Sequence, residues 1–143
     1  MKRYRFRLES VLRARRLQQD VARLALAEAT AAVSRAEATE ARAQSWLDGL
    51  RDQAAPSEPH AWEAHRRVQL LAAAELVARG AEVDHARAEQ RARQAALAEA
   101  RKAVRALERL DERRRGEHAL EVARLDALAV DDLVTSRYRR RTA

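Results

Sequence analysis

The 143-residue chain contains no cysteine, which excludes a disulfide framework, a thiolate nucleophile and a sulfur-ligated metal. Glycine (three) and proline (two) are scarce, and aromatic residues make up 3%. A sandwich, barrel or α/β domain needs β-branched runs and frequent turns, so these scarcities argue against all three. Long apolar runs are also missing. The most apolar stretch, residues 70–78, is interrupted by Glu75, well short of the ~20 residues a membrane span requires. The basic opening, Lys2-Arg3-Tyr4-Arg5-Phe6-Arg7, is followed by no apolar core, so no secretory signal is expected.

What is present is helix-forming. Ala (34), Arg (27), Leu (17) and Glu (14) supply 92 of the 143 residues. That exceeds the roughly one-half share typical of long helices and coiled coils. The strongest interruption is Ala54-Ala55-Pro56-Ser57-Glu58-Pro59, because two prolines three residues apart cannot sit inside one helix. The reading is all-α: a two-helix antiparallel coiled-coil hairpin in a single extended domain. Helix 1 covers about residues 4–53, the turn about 54–58, and helix 2 about 59–134, with a basic tail at 135–143. Ser57 is the expected N-cap of helix 2. At about 1.5 Å per residue the helices would be roughly 75 and 110 Å long, a thin rod with the second helix overhanging.

The apolar spacing is of the heptad kind. In helix 1, positions 8, 11, 15, 18, 22, 25, 29, 32, 36, 39, 43, 46 and 50 follow strict 3-4 spacing, and ten of the thirteen are apolar. In helix 2 the series 71, 74, 78, 81, 85, 88, 92 and 95 is apolar except for His85. It then slips by one to Ala96, Ala100, Ala103, Leu107 and Leu110. A symmetric fold about residue 56 puts Leu8 opposite roughly residue 105. The exposed faces are laced by acid-to-Arg pairs at i,i+4: Glu9–Arg13, Glu63–Arg67, Glu75–Arg79, Glu89–Arg93 and Asp111–Arg115.

Charge is uneven. Residues 1–16 carry a net +6 and residues 137–143 a net +4, whereas residues 17–136 carry a net −3. In a hairpin both basic ends share one pole, with Arg113, Arg114 and Arg115 beside them. Such a pole can steer the molecule end-first onto an acidic partner; the plainer reading is a solubility device. Catalytic signals are absent: there is no GxGxxG, P-loop, HExxH or GxSxG. His60 and His65 are five apart and share no metal-binding face. No cofactor and no enzymatic activity are expected. Trp46 and Trp62 flank the turn, either closing it by packing or serving as protein-binding anchors.

Three segments carry a family resemblance. The opening Phe6-Arg7-Leu8-Glu9-Ser10-Val11-Leu12, with Arg15, resembles the start of the FliJ family of flagellar export proteins. Leu107-Glu108-Arg109-Leu110-Asp111-Glu112-Arg113-Arg114 is similar to that family's Leu-x-x-Leu-x-x-Arg segment. The tail from Leu120 to Arg141, with Asp131-Asp132-Leu133 before a basic end, resembles the family's C-terminus. The resemblance implies a non-enzymatic stalk similar to the central shaft of rotary ATPases, cytoplasmic and peripherally associated with the inner-membrane flagellar base. It implies three partners: the hexameric flagellar export ATPase, the cytoplasmic domain of the export gate, and export chaperones. Nucleic acid and direct membrane insertion are not among them. The terminal pole that would enter the ATPase ring is represented by Phe6, Leu8, Val11, Leu12, Arg13, Arg15, Arg16, Arg113, Arg114, Asp131, Asp132 and Leu133. The gate-binding face, just after the turn, is represented by Trp62, Val68, Leu71 and Ala72. Val68 and Ala72 are smaller than the family's usual residues there, so the resemblance implies either a weaker gate contact or one carried by Leu71 and Trp62 instead.

Competing readings are the stalk of a virulence-type type III secretion system, a basic helical nucleic-acid-binding protein and a plain coiled-coil spacer. A basic-region zipper needs a parallel dimer, which a hairpin with an Ala seam does not provide.

Overall fold

The computed structural model describes residues 4–141, with the backbone alone at Val134 and at residues 136–141. Two helices hold nearly all of them: α1, Glu9–Asp52, and α2, Pro59–Arg141. No strand occurs among the described residues. The helices pack against each other as an antiparallel hairpin.

Each helix start has a local cause. The Leu8 carbonyl accepts the first α-helical bond, from the Leu12 N–H at 2.9 Å, so α1 begins at Glu9 rather than near residue 4. Glu9 then places a carboxylate in the first turn, where the helix dipole favours it. At α2 the Glu58 carbonyl accepts from the Trp62 N–H at 2.9 Å. Glu58, not Ser57, is therefore the flanking residue, and Pro59 takes the first helical position, where its missing N–H costs nothing. α2 also continues past the expected stop near Val134, because no Gly or Pro follows Gly116.

The chain divides into two compact units. Residues 19–99 form a turn unit, and residues 1–18 with 100–143 form a terminal unit. In the turn unit the core is Ala29, Val33, Ala43 and Leu47 of α1 with Ala72, Val83 and Leu97 of α2. In the terminal unit the buried apolar residues among those described are Leu12 and Val104.

These positions correct the heptad frame. On α1 the positions at 22, 29, 36, 43 and 50 stand, but their alternates lie one residue later, at Leu12, Gln19, Leu26, Val33, Glu40 and Leu47. Val11 and Trp46, expected in the seam, are 42% and 47% exposed. On α2 the 71–95 series lies on the outer face, with Leu71 66% exposed and His85 exposed. The seam instead runs through Ala72, Leu76, Arg79, Val83, Ala86, Gln90, Leu97, Ala100, Val104 and Leu107, with no slip. The physical reason is side-chain volume. Leu12, Leu26, Val33 and Leu47 recur at multiples of seven, as do Leu76, Val83, Leu97 and Val104. Burying them removes far more apolar area than burying alanines.

The pairing is also displaced from a symmetric fold. In the turn unit Gln69 Nε2 donates to the Leu50 carbonyl at 3.2 Å, satisfying one of the open carbonyls at the end of α1. The end of α1 therefore meets the third turn of α2. Further along, Gln90 Nε2 donates to Thr30 Oγ1 at 3.1 Å and Arg87 pairs with Glu37 at 2.8 Å. Glu40, a polar seam residue, lies against Gly80, where an added Cβ would sit 3.4 Å from its Oε1.

Candidate docking surfaces

The terminal unit is closed by a strap, residues 4–8, that precedes α1. The Tyr4 hydroxyl donates to Asp111 Oδ1 at 2.7 Å, and its ring meets His118 at 5.6 Å between centroids. Arg115 lies 5.8 Å over the same ring and pairs with Asp111 at 3.2 Å. Partial burial against α2 raises the Tyr4 pKa, and the hydrogen bond and charge of Asp111 raise it further; Arg115 and Arg114 pull the other way. Phe6 is half-buried in the same groove, which Leu8, Leu110, Arg114, Glu117 and Glu121 also line. Sequence reasoning took Phe6 as part of the pole but missed the clasp, because Tyr4 and Asp111 are 107 residues apart.

The other pole residues differ in their surroundings. Leu12 is buried in the seam, so its side chain serves packing. Leu8 and Val11 are 38% and 42% exposed and offer apolar surface. Arg13 pairs with Glu9 at 3.8 Å, Arg15 donates to Gln18 at 3.0 Å, Arg16 bridges to Glu108 across the helices at 2.8 Å, and Arg114 pairs with Glu117 at 3.3 Å. Arg113 is exposed and forms no ion pair among the described residues. Asp131, Asp132 and Leu133 lie far down α2, on exposed helix beyond the level of the clasp. They are not brought beside Arg13–Arg16. Leu120, Leu125, Leu128 and Val130 are likewise more than half exposed. The charges at Lys2 and Arg3, and the side chains of Arg137, Arg139, Arg140 and Arg141, lie outside the described residues.

In the turn unit, Trp62 is 45% exposed, with Arg66 5.5 Å over its ring. Val68 and Leu71 are also exposed, at 37% and 66%. Ala72 is fully buried against α1, which removes it from any accessible face. Trp46 stands beside Leu71 in a shallow groove bordered by Glu75 and Arg79. Both tryptophans keep about half their surface open, so they do not close the turn by burial.

All five acid-to-Arg pairs expected from spacing form, at 2.6–3.8 Å. Their exposure makes each a small contribution. No group of His, Asp or Glu suited to a metal occurs among the described residues, and no described helix is long and apolar enough to cross a membrane. The arrangement presents exposed charged and apolar surfaces.

Comparison with known proteins gives one family. The model described as "Flagellar FliJ protein" matches residues 4–143. No curated protein and no solved structure matches the chain.

Proposed function

Because the chain belongs to the FliJ family of flagellar, export-related proteins, we propose that it is a non-enzymatic stalk of the flagellar type III export apparatus. Its terminal unit enters the ring of the hexameric export ATPase and promotes ring assembly. The exposed face near the turn, carried by Trp62, Val68 and Leu71, binds the cytoplasmic domain of the export gate. Export chaperones are exchanged on the same molecule, which acts in the cytoplasm at the inner-membrane flagellar base.

The observation that carries this reading is the end of the terminal unit. Tyr4 is clasped to Asp111 and His118, yet α2 continues to Arg141. On that continuation Leu120, Leu125, Leu128 and Val130 are 74%, 56%, 53% and 58% exposed. A helix that exposes large apolar side chains along its length is suited to insertion into a protein sleeve. The basic charge around it would steer the approach.

Site-specific photocrosslinking in flagellated cells tests the assignment. A crosslinker at Leu128 should capture the export ATPase, and one at Trp62 should capture the gate. Capture of the gate from Leu128 and of the ATPase from Trp62 would reverse the polarity and overturn the reading.

A further inference from the structure

Through the terminal unit α2 carries an arginine at every fourth position: Arg101, Arg105, Arg109 and Arg113, all exposed. This spacing aligns them as one stripe that climbs about 6 Å and drifts about 40° per step. Like charges at i,i+4 repel and weaken a helix, so the pattern works against the fold that carries it. The carboxylates nearby are engaged elsewhere. Glu108 is held by Arg16 at 2.8 Å, Asp111 by Tyr4 at 2.7 Å and Arg115 at 3.2 Å, and Glu117 by Arg114 at 3.3 Å. Among the described residues none of the four stripe arginines forms an ion pair, and Glu112 is the one uncommitted carboxylate beside them.

We infer that Arg101, Arg105, Arg109 and Arg113 form a docking stripe for an acidic protein helix whose Asp or Glu residues recur at the same four-residue spacing. Arginine forks suit such carboxylates, each able to accept two bonds. Resting on the function proposed above, that acidic helix belongs to the export ATPase. A continuous polyphosphate fits less well. It would run over Glu108, Asp111 and Glu112, which border the stripe in the groove that Arg105 and Arg109 line. Among the described side chains of this unit the aromatics are Tyr4 and Phe6, both half-buried, which makes a poor platform for base stacking. A flat bilayer would meet only part of a stripe that winds around the helix.

The test compares the full-length wild type, the stripe variant R101Q/R105Q/R109Q/R113Q and a charge-matched control, R35Q/R42Q/R67Q/R91Q. Circular dichroism melts at low salt should show the stripe variant at least as stable as the wild type. In titrations of the cognate export ATPase, the stripe variant should need on the order of tenfold more protein for half-maximal stimulation and lose most of its salt dependence, with the control within about twofold of wild type. Wild-type stimulation matched by the stripe variant would overturn the stripe and leave the stalk reading standing. No stimulation by the wild type itself would overturn the stalk reading and the assigned partner together. Tight binding of a 20-mer oligo(dT) at 150 mM salt, lost in the stripe variant alone, would reassign the stripe to nucleic acid and overturn the inference.

Discussion

The two units of this chain solve different problems with the same two helices. The turn unit holds 10 basic and 13 acidic residues, a net −3, and seven of the nine apolar residues buried among those described. The terminal unit holds 19 basic and 9 acidic residues, a net +10, and the other two. One unit is kept together by alternating large and small seam residues. The other relies on a polar clasp around Tyr4 and carries a surplus of like charge that raises self-repulsion. The contrast separates a part that makes the fold from a part that trades stability for a surface.

The largest effect should come from truncating the better core. Leu47→Ala, at a position 3% exposed, should cost about 2–5 kcal/mol in denaturant unfolding, whereas Leu12→Ala should sit at or below the low end of that range. Equal costs would erase the distinction between the units. Next, Trp62→Ala should weaken gate binding about tenfold, as loss of an aromatic anchor does, without lowering helix content. A change in ATPase stimulation larger than the change in gate binding would show that the turn unit is not the gate-facing part.

The clasp should give a smaller and local response. Tyr4→Phe keeps the ring but removes the hydroxyl bond to Asp111, so amide exchange should speed up at residues 9–12 and stay unchanged at Val83. The raised Tyr4 pKa also sets a pH window. The folded form holds the phenol proton more tightly than the unfolded chain, whose value is about 10. The clasp's contribution is therefore complete below that pH and fades as pH rises through the higher folded value. In a Tyr138→Phe background, ultraviolet titration should show Tyr4 ionising later in the folded than in the denatured protein; coincident curves would remove the clasp.

Smallest of all are the glycines. Gly49, in the turn unit, and Gly116, in the terminal unit, have no heavy atom within 4 Å of an added Cβ. Replacing either by Ala should stabilise its helix by about 0.5–1 kcal/mol. A loss at Gly116 but not at Gly49 would reveal a close approach in the terminal unit that the contrast does not include.

Much of this fold is legible in the sequence because its signals are local. Pro56 and Pro59 mark the turn, and composition with i,i+4 pairing marks the helices. The seam is harder. With 34 alanines, two frames one residue apart both score as apolar. The choice is settled by volume, through Leu12, Val33, Leu47 and Val83, rather than by counting. The strap is invisible locally, because residues 4–8 could continue α1 and are drawn off it by Asp111 and His118 more than a hundred positions away. Among the candidate residues, Trp62 and Leu71 are exposed. The burial of Leu12 and Ala72 follows from the corrected frame, since a one-residue error exchanges a seam position for an outer one.

Engagement of the export ATPase by the basic terminal unit, as proposed above, is measured by ATP turnover of the cognate ATPase across a titration of this protein, repeated over a salt series. Stimulation that saturates near one chain per hexamer and declines with salt is the expected result. Unchanged turnover at every ratio, with circular dichroism showing the hairpin folded, would contradict it.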